Sequence, residues 1–169
     1  MMNGVKLVIL VLACAHATGC AARSRMGEVV VTQSGSQPCF GLENTAATRQ
    51  GQHKLWSIAV YQRSGDKPQP VWVFTLAPQN QALLMTPPVC VPYSQAPTQA
   101  AVTTAPIALE TGIVYSVSVG ARGTDDSDST RSYSGEFCLV RKTNQPATAQ
   151  QIKWDAQAGK WQRDVCLEK

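Results

Sequence analysis

The chain has 169 residues, with 15 lysines and arginines against 11 aspartates and glutamates, and 44 % of it is hydrophobic. That is room for one domain with its own core. A formal charge of +4, with no dense run of Lys or Arg, gives no footing for nucleic-acid binding or for a basic lipid-binding patch.

At the N-terminus, Lys6 precedes the almost wholly apolar run Leu7 to Ala13, the charged start and hydrophobic centre of a secretory signal. The run is too short to cross a hydrocarbon core of about 30 Å as a helix. Ala17-Thr18-Gly19-Cys20 follows, and small residues before a cysteine resemble the lipobox cut by the lipoprotein signal peptidase. The resemblance implies that residues 1–19 are a signal peptide and that Cys20 becomes the acylated N-terminus. The box opens with Ala17 where Leu is usual, and the alternative is ordinary secretion with cleavage after Ala15-His16-Ala17. Ala21 stands where an Asp would retain the product. Resemblance to enterobacterial lipoproteins with that residue implies the outer membrane, facing the periplasm. Residues 20–27 read as a short lipidated tether, and 28–169 as a single domain. Losing residues 1–19 removes only Lys6, so the balance of the rest is +3.

Along that domain the pattern is strand after strand. Glu28 to Val31 opens it, and Pro38 to Leu42 follows a Ser/Gly turn. Lys54 to Tyr61 is a longer run of β-branched and aromatic residues, closed by Ser64-Gly65-Asp66-Lys67-Pro68, which is turn chemistry. Val71 to Leu76 is expected to pair with it. From Pro78 to Pro106 six prolines recur. Proline removes a ladder donor, so loops and short edge strands are expected there. Strand chemistry returns at Ile107 to Leu109, Ile113 to Val119 and Tyr133 to Arg141. A terminal hairpin is expected from Ile152 to Asp155 and Lys160 to Cys166, around Ala156 to Gly159. Only Ala147 to Ile152 has helical character. The fold class is all-β.

Leu109-x-x-Gly112-x-x-Tyr115-x-Val117-x-Val119 resembles the tyrosine corner of fibronectin type III and other immunoglobulin-like sandwiches. The resemblance implies a β-sandwich in which the Tyr115 hydroxyl bonds the backbone of the preceding turn. Tyr115, Val117 and Val119 would then face the core, and Ser116 and Ser118 water. Trp56, Trp72, Trp154 and Trp161 are expected mostly in core and inter-sheet packing.

Six cysteines are present. Cys14 falls within the signal and Cys20 is the lipid site, which leaves Cys39, Cys90, Cys138 and Cys166 in an oxidising compartment. Four cysteines allow three connectivities, and sequence does not choose among them. The expectation is Cys39–Cys90 and Cys138–Cys166, which close loops of moderate length within each half. Zinc is not expected, because no Cys-x-x-Cys pair exists and His53 is the only histidine after the signal.

No catalytic constellation assembles. His53 has no evident partner, no Gly-x-Ser-x-Gly elbow is present, and Glu28, Glu43, Glu110 and Glu136 are scattered among strand edges. An enzyme is not expected, nor a cofactor. The polar segment Gly123 to Arg131 holds Asp125, Asp126 and Asp128 but lacks the glycine and terminal glutamate of an EF-hand loop, so calcium is not expected. It reads as a solvated hairpin loop or as a recognition loop on a rigid scaffold. In the second case Arg122, Asp125, Asp126, Asp128, Arg131 and Tyr133 are the partner-binding candidates.

The C-terminal portion carries a further resemblance. Tyr133-Ser134-Gly135-Glu136-Phe137-Cys138-Leu139, then Ile152-Lys153-Trp154-Asp155, then Gly159-Lys160-Trp161 and Cys166 follow in order. With the lipobox and Pro38-Cys39-Phe40, this resembles a family of small periplasmic lipoproteins of enterobacteria, the immunity proteins of type VI secretion systems. The resemblance implies a lipid-anchored protein that binds a toxic effector, such as a membrane-targeting lipase, and neutralises it by occlusion. Two other classes stay open. One is a structural or assembly lipoprotein of an envelope or secretion complex. The other is an envelope lipid- or glycan-binding module, which predicts a concave apolar or aromatic pocket.

Overall fold

A computed structural model describes residues 26–63, 67–124 and 130–167. The signal segment, Cys20 and the tether up to residue 25 lie outside the described residues. The chain begins with β1 (Met26–Ser34) and β2 (Gln37–Leu42), a short helix α1 (Ala46–Gln50), then β3 (Lys54–Gln62) and β4 (Gln69–Thr75). The proline-rich stretch supplies a 3-10 turn at Pro78–Asn80 and two short strands, β5 (Cys90–Pro92) and β6 (Ala101–Thr104). After it come β7 (Val114–Arg122), β8 (Ser132–Val140), β9 (Thr148–Ile152), the hairpin strands β10 (Trp154–Asp155) and β11 (Lys160–Trp161), and a 3-10 turn at Arg163–Cys166.

The strands form one curled path in the order β5-β2-β1-β8-β7-β3-β4-β6, with β9 also on β8. β1 makes the turn between the layers. Met26 to Glu28 pair in parallel with Ser132 to Ser134 of β8, whereas Val29 to Ser34 pair antiparallel with β2. In the strand letters of immunoglobulin-like sandwiches, β1, β2 and β5 stand as A, B and E, and β3, β4, β7 and β8 as C, C′, F and G. Phe40 of β2 packs on Phe137 of β8 at 5.4 Å and near Trp72 of β4 at 6.4 Å, so the two layers meet across it. The core is aromatic and β-branched, with Val29, Leu55, Ile58, Val60, Phe74 and Val119 fully buried.

The tyrosine corner is present. Tyr115, Val117 and Val119 are buried, and the Glu110 N–H donates to the Tyr115 hydroxyl at 2.9 Å. Burial raises the Tyr115 phenol above its usual pKa. Tyr115→Phe is expected to cost about 1 kcal/mol, the net worth of one such hydrogen bond. Urea unfolding reads it, and a loss below about 0.3 kcal/mol would show that the bond carries no stability of its own.

Both expected cysteine pairs are joined, Cys39 to Cys90 and Cys138 to Cys166. The first links β2 to β5 within one layer. The second ties β8 to the last turn.

Other expectations are corrected. β1 starts at Met26, two residues inside the expected tether, because its first residues find the edge of β8. Ile107 to Leu109 form no strand. Instead the Tyr93 hydroxyl donates to the Ile107 carbonyl at 2.8 Å. Residues 148–152 are strand, drawn out of helix by pairing with β8. Helix α1 was not foreseen: Thr45 and Thr48 form a reciprocal capping box at its start. Of the tryptophans, Trp72 is buried, but Trp56 and Trp154 are 40 % and 52 % exposed. No helix among the described residues is long and apolar enough to cross a membrane.

Candidate functional site

Alternation along the strands gives the large layer two faces. β7 turns Tyr115, Val117 and Val119 inward, so Ser116, Ser118 and Gly120 look out. Register sets them beside matching residues on both neighbours. Ser57, Gly120 and Ser132 form one cross-strand row, Ala59, Ser118 and Ser134 the next, and Tyr61, Ser116 and Glu136 a third. The outer face is therefore paved with small side chains. At one end the Trp56 ring lies over Gly120, so close that a Cβ there would come within 2.4 Å of Trp56 Cε2. Glycine at 120 lets the indole lie down on the sheet.

At the other end is a charged cluster. Glu136 is buried on the outward side of β8, its side chain only 5 % exposed. Arg163 grips it with two hydrogen bonds of 2.9 Å, Nε to Oε2 and Nη2 to Oε1. Arg63 Nη1 approaches Oε1 at 3.2 Å. Both arginine side chains remain 45 % exposed. The hydrogen bonds from Arg163 to Glu136 raise its guanidinium further above its usual pKa. The planar fork of arginine suits this bidentate grip.

The C-terminal hairpin is a wall beside this cluster. Trp154 and Trp161 face each other across it, with rings 5.6 Å apart and edge-on. Asp155 Oδ1 accepts from the N–H groups of Gln157 at 2.9 Å and Ala158 at 3.0 Å, which holds its carboxyl below the usual range. Gly159 closes the turn in the left-handed region at φ 61°. Trp161, Val165 and Val114 pack on a small second core of Cys138, Ile152 and Cys166. A cavity of about 320 Å³ opens between the hairpin and the sheet, lined by Tyr61, Arg63, Ser116, Ser118, Ser134, Glu136 and Trp161 with the backbone between them.

The sequence-derived candidates fall elsewhere. Asp125, Asp126 and Asp128 lie outside the described residues. Arg122 is exposed at the end of β7, directly opposite Lys54. Arg131 is exposed just before β8. Tyr133 is corrected: it is buried, not an aromatic anchor. Its register against Gly27 turns it inward, where a Cβ on Gly27 would strike its ring at 2.3 Å, and it meets His53 edge-on at 5.9 Å. His53 is itself fully buried.

Sequence reasoning missed the cluster of Arg63, Glu136 and Arg163. One signal was readable, since Glu136 continues the outward phase of Ser132 and Ser134. Its partners come from distant segments, Arg163 lying 27 residues on, and no local spacing announces them. Among the described residues, no group of three or more His, Cys, Asp and Glu is placed to hold a metal ion. No protein-family model, curated protein or solved structure matches the chain.

Proposed function

We propose that this chain is a lipid-anchored, periplasm-facing protein that binds a secreted effector and neutralises it by occlusion. Its docking surface is the outer face of the large layer. The observation that carries the reading is the open pavement from Trp56 to the Arg63–Glu136–Arg163 cluster. Small side chains on a rigid sheet let a partner's surface approach closely. An exposed tryptophan at the rim is the residue type that most often carries binding energy at protein interfaces. Occlusion needs surface and position, and the acylated Cys20 implied by the lipobox would supply the position. The partner class comes from the C-terminal resemblance alone.

A competition assay tests it. Cells lacking the gene are expected to be killed by contact with parental siblings and to survive when the gene is restored. Trp56→Ala is expected to weaken effector binding by about 2 kcal/mol, roughly 30-fold, and to restore survival only in part. Equal survival of deleted and parental cells would overturn the immunity reading. Full protection by a folded Trp56→Ala protein would move the docking surface off this face.

One observation favours a second reading, an envelope glycan-binding module: the cavity between the hairpin and the sheet has aromatic side chains on both sides.

A further inference from the structure

We propose that the cavity between the C-terminal hairpin and the sheet binds a sugar acid, a six-membered polyol ring that carries a carboxylate. The proposal deepens the glycan-binding reading and rests on it; the cavity floor is the Arg63–Glu136 end of the same sheet face, and the titration below tests it with no effector present.

The charge of the cluster favours an acid. Arg163 alone engages both oxygens of Glu136 through its Nε and Nη2. That bidentate pair already matches one carboxylate with one guanidinium. Arg63 is then a second cation on an anion that has its partner, and it approaches through Nη1 only, at 3.2 Å. The cluster therefore carries one net positive charge. Arg63 is also 45 % exposed at the cavity rim, so it presents much of a planar donor fork to whatever enters. A carboxylate is the group that fits such a fork.

The rest of the lining suits a sugar ring. Ser116 and Ser118 put two hydroxyls on the sheet side that can donate and accept, and Ser134, whose hydroxyl donates to Met26 Sδ at 3.2 Å, adds an acceptor. Tyr61 and Trp161 supply aromatic surface. A sugar ring presents hydroxyls around its edge and C–H groups on its faces, and this lining offers a partner to each. The volume, about 320 Å³, is at the small end of ligand sites and suits one ring rather than a chain of them.

The cavity wall is also preorganised. Trp161 is held by Trp154 across the hairpin and by the second core. The segment that carries it is tied to β8 twice, through Cys138–Cys166 and through Arg163–Glu136. A wall fixed before the ligand arrives loses little freedom on binding.

The test uses the oxidised protein with both disulfides intact, titrated at millimolar concentrations with D-glucuronate, N-acetylmuramate and D-glucose. Tryptophan fluorescence and the indole N–H signals of an NMR spectrum report occupancy. At least one acid is expected to bind about tenfold or more tightly than glucose, the worth of a charge-assisted hydrogen bond. The two acids differ in where the carboxylate hangs from the ring, so their ratio tells a uronic acid from a lactyl ether. Arg63→Gln is expected to erase the preference for acid while leaving the thermal midpoint within a few degrees. Methyl glucuronate on the unaltered protein is expected to bind no better than glucose, which tests the charge without any substitution. Equal binding of acid and glucose, no binding of either acid, or a preference that survives both Arg63→Gln and esterification would overturn the proposal.

Discussion

Trp72→Ala is expected to lower the unfolding free energy by about 3–5 kcal/mol, read as a fall in the urea midpoint with little change in slope. Trp72 is fully buried on β4, between the layers rather than within one. Its ring meets Phe74 and Tyr93 at 5.2 Å each, and Phe40 at 6.4 Å. Those partners come from β4, the proline-rich segment and β2. The indole thus joins three parts of the chain that no single hydrogen-bonded ladder connects. Alanine would leave a void too broad for these rings to close, because Tyr93 is itself fixed. Its hydroxyl lies 2.8 Å from the Ile107 carbonyl and 3.2 Å from that of Val71, and burial pushes its phenol up to about 12. The Trp72 Nε1 finds no hydrogen-bond partner among the described residues. Packing is therefore what the substitution removes, with no hydrogen bond lost beside it. A cost under about 1.5 kcal/mol would mean that the layers collapse onto the gap.

Removing the Cys39–Cys90 link by a double substitution to alanine is expected to cost about 4 kcal/mol. The link spans 51 residues of sequence, and closing a loop of that length removes about that much freedom from the unfolded chain. The native state has a reason to feel the loss as well. β5 is a three-residue edge strand that, among the described residues, ladders with β2, so the bridge reinforces a short pairing. Denaturant unfolding of the double variant against the oxidised protein checks this, and the slope should rise as the unfolded chain expands. A loss near 1 kcal/mol would show that the unfolded chain stays compact without the bridge.

The architecture was largely legible in the sequence, and the reason is periodicity. In β7, Tyr115, Val117 and Val119 alternate with serines, so the residues themselves assign strand, faces and tyrosine corner. The disulfide pairing was one of three connectivities the sequence left open, and in the structure each bridge stays within one half of the chain. Signals failed where tertiary pairing outweighed local preference. Thr148 to Ile152 has little strand chemistry, yet it lies along the free edge of β8 and takes its form from there. Helix α1 went unseen because its start is a Thr45–Thr48 box without the usual Glu or Gln at the third position. The candidate site was barely legible. Glu136 was visible as a lone outward carboxylate, but Arg63 and Arg163 reach it only after β3, β8 and the last turn come together. Exposure of Trp56 depends on Gly120 one strand away, which is again a matter of register.

The crossing of β1 between the layers has a mechanical consequence. Suppose the domain is pulled through the residues that precede Met26 and held through those that follow Cys166. The Cys138–Cys166 bridge passes the load from the last turn directly to the C-terminal part of β8, so β9 and the hairpin are spared. β1 is drawn toward its own start, and β8 toward its end. Parallel neighbours pulled this way slide past each other, and the pairing of Met26 to Glu28 with Ser132 to Ser134 is loaded in shear. Its hydrogen bonds carry the strain together instead of parting one after another as in a zipper. The same few residues that let β1 change layers are thus the point at which tension on the N-terminal side meets resistance.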